Sequence, residues 1–168
     1  MIDQPRYKFA EKWAEKLLKK YPYGSPPVDV WVIACGEGLE VELRYDWPAT
    51  LKLHGVVQGT VIGINGKEAR VRQRFTLAHE LGHICPGHHR ERGYVPTIDS
   101  PESEVNPYPQ HLEREASSFA NALLVPKALL VKALLQHRTI PPLSSVFEVS
   151  HQVMTIALNR TGLMSRLA

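Results

Sequence analysis

Residues 70–87 read RVRQRFTLAHELGHICPG, and this stretch predicts the helix around which the domain is built. Its apolar residues recur at intervals of three and four, the period of a helix with one buried face. They are Val71, Phe75, Ala78 and Leu81. Upstream, Asn65 and Glu68 have the spacing of a capping box, which predicts the start of the helix. Pro86-Gly87 predicts its end, because proline cannot continue a helix and glycine is common just beyond one.

The same stretch contains the motif His-Glu-Leu-Gly-His at residues 79–83. His79 and His83 lie one turn apart on one face of a helix, so both imidazoles can reach a single metal ion. Glu80 is rotated by about 100° from His79, which puts its carboxylate beside the metal. We therefore expect two metal ligands and a general base that takes a proton from a water attacking a carbonyl. The alternative is a solvated helix face that carries two incidental histidines.

Catalytic zinc has three protein ligands and one open position, and two regions compete to supply the third. His89 lies at the spacing of the third histidine of metzincins, but Pro86 stands where that pattern needs glycine. The other candidate is Glu113, in the segment Glu113-Arg114-Glu115-Ala116 at the start of the next predicted helix, whose small residues would let it approach the metal helix closely. A His–His–Glu set is a standard hydrolytic zinc site. The alternative is that both acids are exposed surface residues.

The remaining patterns predict an α+β fold, with a small three-stranded sheet packed against a helical bundle and the metal site between two helices. Further helices are predicted at about residues 5–20, 110–125 and 127–136. Another is predicted to have Ser25 as its N-cap and Pro26 in its first turn, and to end at Gly36 or Gly38. Strands are predicted at 39–45, 55–58 and 60–64. Residues 88–109 predict a long surface loop. We expect a metallopeptidase domain at residues 1–142 and a helix-turn-helix-like hairpin at 143–168 packed on it.

The composition is that of a soluble globular domain, with 43% apolar and 22% charged residues. No stretch approaches the roughly 18 apolar residues needed to span a bilayer, and the N-terminus lacks the apolar run of a signal peptide. Two cysteines do not make a disulfide framework, so we expect a cytoplasmic protein. The net charge of +3 is too small to predict nucleic-acid binding. The scarcity of basic residues in the last predicted helix also argues against it.

Two segments together resemble the ImmA/IrrE metallopeptidases, a gluzincin-like family. They are RFTLAHELGH at residues 74–83 and EREASSFANALLVP at residues 113–126. The resemblance extends more loosely from residue 25 to residue 150, and the paired motifs in this order are specific. Ser117 departs from the family pattern, in which asparagine or aspartate is usual, and this weakens a contact that would support a metal ligand.

The resemblance implies a zinc-dependent endopeptidase whose substrate is a helix-turn-helix repressor of transcription. It implies that His79, His83 and Glu113 bind the metal and that Glu80 is the base. Glu115 would then either support a metal ligand through a contact or serve only the structure of the domain. Manganese or iron could occupy the same ligands. The alternative is a non-hydrolytic regulatory or toxin–antitoxin-type protein that binds a repressor or DNA. The presence of Glu80 argues against it, because binding alone does not need that carboxylate.

Three further predictions concern residues around the motif. The basic residues Arg70, Arg72 and Arg74 predict a solvated helix face. The strand at 60–64, if it forms an edge of the sheet, could bind an extended peptide substrate as an added strand, with the loop at 88–109 gating access. The candidates for stabilising the oxyanion of the transition state are His88, Tyr94, Tyr108 and His111.

Overall fold

The computed structural model describes residues 4–87 and 108–168. The helices in these ranges are α1 (Tyr7–Lys20), α2 (Val30–Gly36), α3 (Arg70–Ile84), α4 (Gln110–Leu124), α5 (Lys127–Ala133), α6 (Ile140–Phe147) and α7 (His151–Thr161). The strands are β1 (Glu40–Arg44), β2 (Gly55–Gln58) and β3 (Val61–Asn65). This is the predicted α+β fold, a small three-stranded sheet beside a helical bundle. The loop predicted at 88–109 lies outside the described residues, apart from its last two.

The strand order in the sheet is β1-β3-β2, so β3 is the central strand. It pairs with β1 in parallel and with β2 in antiparallel orientation. The prediction that residues 60–64 offer an open edge is therefore wrong. Ile62 and Ile64 of β3 are fully buried, whereas β1 is largely exposed. The most apolar strand thus lies in the centre of the sheet, and β1 and β2 are its two edge strands.

The two helices that carry the predicted metal ligands cross in close contact. A Cβ at Gly82 of α3 would lie 2.8 Å from the carbonyl oxygen of Ala116 in α4. Only glycine permits this approach, because a real side chain would clash with the backbone of the other helix. Around the crossing, one apolar cluster extends from α1 through α3 and α4 to α6 and α7, and it includes Leu77, Phe119 and Phe147.

α2 begins later than the sequence predicts. Its N-cap is Asp29, whose side chain accepts hydrogen bonds from two backbone N–H groups of the first turn. Ser25 is not the cap, because Pro26 is followed by Pro27, and a residue before proline disfavours helical backbone. Asp29 is the first strong cap residue after this pair.

The predicted capping box before α3 is also wrong. The Asn65 side chain accepts a hydrogen bond from the backbone N–H of Lys67 at 3.0 Å, which forms a local turn. Glu68 contacts the Nδ1 atom of His54 at 2.6 Å. Asn65 therefore bonds within the turn that follows β3 and Glu68 bonds to the residue before β2, and α3 begins only at Arg70.

Arg74, one of the three arginines predicted to lie on a solvated helix face, is buried. Arg74 is 1% exposed, and its guanidinium donates to the carbonyl oxygens of Glu148 at 3.2 Å and Val28 at 2.9 Å. Arg70, one turn earlier, pairs with the Glu148 side chain at 3.2 Å. The turn between α6 and α7 covers this side of α3, so Arg74 connects three segments, and only Arg70 and Arg72 remain exposed.

Candidate metal centre

Helices α3 and α4 bring the two histidines of the motif together with Glu113. The two Glu113 oxygens lie 3.1 Å from Nε2 of His79 and 3.2 Å from Nε2 of His83. The two histidine Nε2 atoms are 3.1 Å apart. Among the described residues, these three side chains form the group of metal-ligating type whose donor atoms all lie within 4.8 Å of one another.

This donor set fits a divalent cation of the size of zinc. Zinc–nitrogen and zinc–oxygen bonds of about 2.0–2.1 Å give tetrahedral edges of about 3.3 Å. The Nε2 atoms of His79 and His83 are 3.1 Å apart, close to that edge length, and one ligand atom from each of the three residues lies within 4.8 Å of the others. Two imidazoles and one carboxylate are also the ligand types of hydrolytic zinc sites.

The electrostatics of the cluster keep Glu113 ionised. Burial alone would raise the pKa of its carboxyl group, but the hydrogen bonds from His79 and His83 outweigh burial and lower the pKa to about 2. For His79, burial favours the neutral ring, and the hydrogen bond to Glu113 overcomes it and raises the pKa. The carboxylate is therefore charged and able to act as a ligand over the whole physiological pH range.

Contacts behind the histidine rings fix their orientation. The Ser117 hydroxyl lies 3.3 Å from Nδ1 of His79, so it can accept the proton on that nitrogen and leave Nε2 free for a metal. The His83 ring stacks on Tyr108, with centroids 3.9 Å apart and planes inclined by 8°. Burial raises the pKa of Tyr108 to about 12, and the nearby charges of Glu80 and Glu113 add to the effect, so its hydroxyl stays protonated.

Glu80 lies next to the cluster, in contact with the first residue of β2. Burial raises the pKa of Glu80 to about 7, although the charge of His79 opposes the shift. A Cβ on Gly55 would lie 3.1 Å from Oε1 of Glu80 and 2.5 Å from Cγ2 of Thr76. The absence of a side chain at Gly55 therefore lets the edge strand reach the Glu80 carboxylate.

Glu115 does not take part in the cluster. Its side chain is completely buried and accepts hydrogen bonds from the backbone N–H of Arg6 at 2.8 Å, from Nε at 3.0 Å and from Nη2 at 3.1 Å. Residues two apart on a helix point in different directions, so Glu113 and Glu115 serve different neighbours. No sequence pattern pointed to Arg6, which is 109 residues away along the chain.

The structure describes only some of the other residues that were predicted as candidates for the site. His88, His89 and Tyr94 lie outside the described residues, so the alternative third ligand His89 stays a prediction. Tyr108 lies against the cluster. His111 is in the first turn of α4, partly buried, and is not in the group that could hold a metal.

A sequence profile for the Peptidase M78 family, described as the IrrE N-terminal-like domain, matches residues 36–159. The chain belongs to this family. The match includes both helices of the cluster, and the family is one of metallopeptidases. No curated protein is significantly similar to it.

Among solved structures, this chain is similar to a Mycobacterium tuberculosis transcriptional regulator, with a TM-score of 0.67 and 16% sequence identity. The similarity covers 90% of this chain and 46% of the regulator, so this chain spans about half of that protein. At this identity the likeness concerns the fold alone. No helix among the described residues is long and apolar enough to cross a membrane.

Proposed function

We propose that this protein is a zinc-dependent endopeptidase that hydrolyses a peptide bond in a helix-turn-helix repressor. The observation that carries the proposal is the convergence of His79, His83 and Glu113 on one point, with Glu80 beside it. The repressor substrate rests on the family resemblance, and such repressors act in the cytoplasm, where we expect the enzyme. Manganese or iron remain alternative metals, because the same ligand types accept them.

The chemistry follows from the roles of four side chains. A cation held by His79, His83 and Glu113 would supply a Lewis acid that polarises the scissile carbonyl and lowers the pKa of water. Glu80 takes the proton of the attacking water and delivers it to the leaving amine. Its pKa, raised to about 7 by burial, suits a base that must accept and then release a proton near neutral pH.

Tyr108 is the best candidate for stabilising the oxyanion among those that the structure describes. Its ring is stacked on His83, and its hydroxyl is held in the protonated form. A neutral phenol can donate a hydrogen bond to a carbonyl oxygen as negative charge develops there. Stabilising the oxyanion requires a hydrogen-bond donor, and Tyr108 remains one because its buried site disfavours the charged phenolate.

We propose that the substrate binds along the free edge of β2. The backbone N–H of Asn65 donates to the carbonyl of His54 at 2.9 Å, and Gly55 is paired with Ile64. Hydrogen bonding in an antiparallel pair alternates along the strand. Residues 54, 56 and 58 therefore bond to β3, whereas the N–H and C=O groups of residues 55 and 57 point outward.

This edge can hold a peptide in an extended conformation beside Glu80, because Gly55 contacts the Glu80 carboxylate. A helix or a paired strand has no free backbone groups to offer to such an edge. The proposal thus predicts cleavage in an exposed linker or loop of the repressor rather than inside its folded domains.

We propose that residues 143–168 act as a packing element on the metallopeptidase domain at residues 1–142. The carbonyl of Val153 accepts a hydrogen bond from the buried Asn121 side chain of α4 at 2.8 Å. The carbonyl of Glu148 accepts from Arg74 of α3. Both metal-bearing helices are thus bonded to this hairpin, which supports a role in holding them in place rather than in reading DNA.

The test is incubation of the zinc-loaded protein with the product of the neighbouring gene, followed by mass spectrometry of the products. We expect one internal cut in a linker, loss of cutting in EDTA and recovery when zinc is restored. Stable binding of the repressor without any cut, in a sample with full metal content, would favour the non-hydrolytic alternative.

A further inference from the structure

A groove with a volume of about 870 Å³ lies between α1, α3, α4 and α7. It is next to the candidate metal centre, on the far side of His79. Ser117, which contacts the Nδ1 edge of His79, lines the groove, and so does Phe75, whose ring lies 6.2 Å from the His79 ring. The proposed peptidase reaction uses Nε2 of His79 and the edge of β2, so it does not account for this groove.

The walls of the groove are apolar and open to solvent. Three of its lining residues are among the large apolar side chains that remain exposed: Tyr7 at 46%, Val71 at 36% and Ile156 at 48%. They come from three different helices and converge on one depression, together with the more deeply buried Val153. Exposed apolar side chains that cluster in this way are typical of binding sites rather than of ordinary surface.

The charges around the groove are mostly positive. Three arginines line it, Arg72, Arg114 and Arg160, against one carboxylate, Glu11. Among the residues that the structure describes, Arg72 and Arg114 form no ion pair, whereas Arg160 interacts electrostatically with Glu11 and Glu15. The Arg160 guanidinium is oriented by two neutral acceptors, the side-chain oxygen of Asn121 and the carbonyl of Val125, each at 2.9 Å.

We propose that this groove binds a small amphipathic anion, an organic molecule with an apolar body and a carboxylate or similar acidic group. The apolar body would pack on Phe75 and Ile156, and the acidic group would lie among the arginines. The volume is within the range of roughly 300–1,000 Å³ that is usual for small-molecule pockets. Arg72 and Arg114, which form no ion pair among the described residues, favour an anion over a neutral or cationic ligand.

The probe for the test is 8-anilino-1-naphthalenesulfonate, an aromatic anion whose fluorescence rises in apolar sites. It is titrated into the purified protein, and the folded state of each variant is checked by circular dichroism. We expect saturable binding that decanoate, a second small amphipathic anion, displaces. Because no cleavage is measured, the result does not depend on whether the protein is a peptidase.

Two pairs of variants locate the binding. Ile156→Glu introduces a negative charge into the groove, and Leu135→Glu introduces the same charge at a residue that is 75% exposed elsewhere. The double variant Arg72→Gln/Arg114→Gln removes two groove charges, and Arg166→Gln removes an exposed charge outside it. We expect each groove variant to raise the dissociation constant about fivefold or more, since one exposed charge interaction contributes on the order of a factor of two to five.

The proposal is overturned if the probe does not bind, or if the control variants weaken binding as much as the groove variants. It is also overturned if decanoate fails to displace the probe while an acidic peptide succeeds, because the groove would then be a docking site for a protein segment. Probe binding that depends on protein concentration, with a dimer in analytical ultracentrifugation, would assign the groove to a second copy of the chain instead.

Discussion

The Glu115 carboxylate forms a two-pronged ion pair with Arg6, with Oε1 3.0 Å from Nε and Oε2 3.1 Å from Nη2. Glu113, two residues earlier on the same helix, faces His79 and His83. One turn of α4 thus carries two acids with separate tasks. Glu113 completes the cluster that could hold a metal, and Glu115 attaches α4 to the segment that begins α1.

Removal of any one of the three ligands should abolish stoichiometric metal binding, because two ligands hold a cation far less tightly than three. We expect His79→Ala, His83→Ala and Glu113→Ala to lose bound metal after dialysis, as measured by elemental analysis. Glu115→Gln is the matched control and should keep it. Full metal in Glu113→Ala together with loss in His89→Ala would support the metzincin-like ligand set instead.

The ion pair of Glu115 should matter for stability rather than for metal binding. Glu115→Gln weakens three hydrogen bonds to a buried carboxylate, and we expect the free energy of unfolding to fall by about 1–3 kcal/mol. Urea denaturation followed by circular dichroism measures this. The control is Lys20→Ala, which breaks an exposed pair with Glu37 and should lower the free energy of unfolding much less, because exposed ion pairs contribute little to stability. Equal effects of the two variants would contradict the structural role of Glu115.

The contact between Gly55 and Glu80 predicts that even one methyl group at residue 55 impairs the reaction. Gly55→Ala puts a Cβ 2.5 Å from Thr76 Cγ2 and 3.1 Å from the Glu80 carboxylate, so the base must move. We expect kcat/KM to fall about tenfold or more, as small misplacements of reacting groups cost up to about 100-fold, with metal content unchanged. Gly24→Ala, where a Cβ meets nothing within 4 Å, is the control and should be fully active.

The alternation of hydrogen bonds along β2 predicts opposite outcomes for prolines at neighbouring residues. Val57→Pro removes an N–H that points to the free edge, so the domain should fold and bind metal while cleavage falls. Val56→Pro removes an N–H bonded to β3 and should destabilise the sheet. Circular dichroism, metal analysis and a cleavage assay distinguish the two. A folded Val57→Pro variant that cleaves at the normal rate would rule out binding of the substrate at this edge.

The local features of the protein could be predicted from the sequence, because short spacing alone determines them. His79 and His83 share a helix face through their four-residue separation, and the apolar period marks the buried side of α4. In α3 it does so for Ala78 and Leu81 but not for Val71, which is 36% exposed. The α+β class followed from the mixture of such helices with short alternating strands. The choice of Glu113 over Glu115 came from the family resemblance.

What the sequence did not reveal depends on residues far apart in the chain. The burial of Arg74 follows from Val28 and Glu148, 46 and 74 residues away. The central position of β3 depends on pairing with β1 across an intervening strand, which no local pattern encodes. The start of α3 was predicted wrongly for a different reason. Asn65 and Glu68 have a capping pattern, but Asn65 bonds to Lys67 in the adjacent turn and Glu68 to His54 before β2.

The central claim is that Glu80 acts as the base at a metal site, and a single variant tests it most directly. Glu80→Gln keeps the size of the side chain but removes its ability to accept a proton. Metal content and the rate of repressor cleavage are measured on the same preparation, with the wild-type protein alongside. We predict full metal content and a rate lowered by about 10²–10⁴-fold. A Glu80→Gln protein that carries the same metal and cleaves at the wild-type rate would contradict the account.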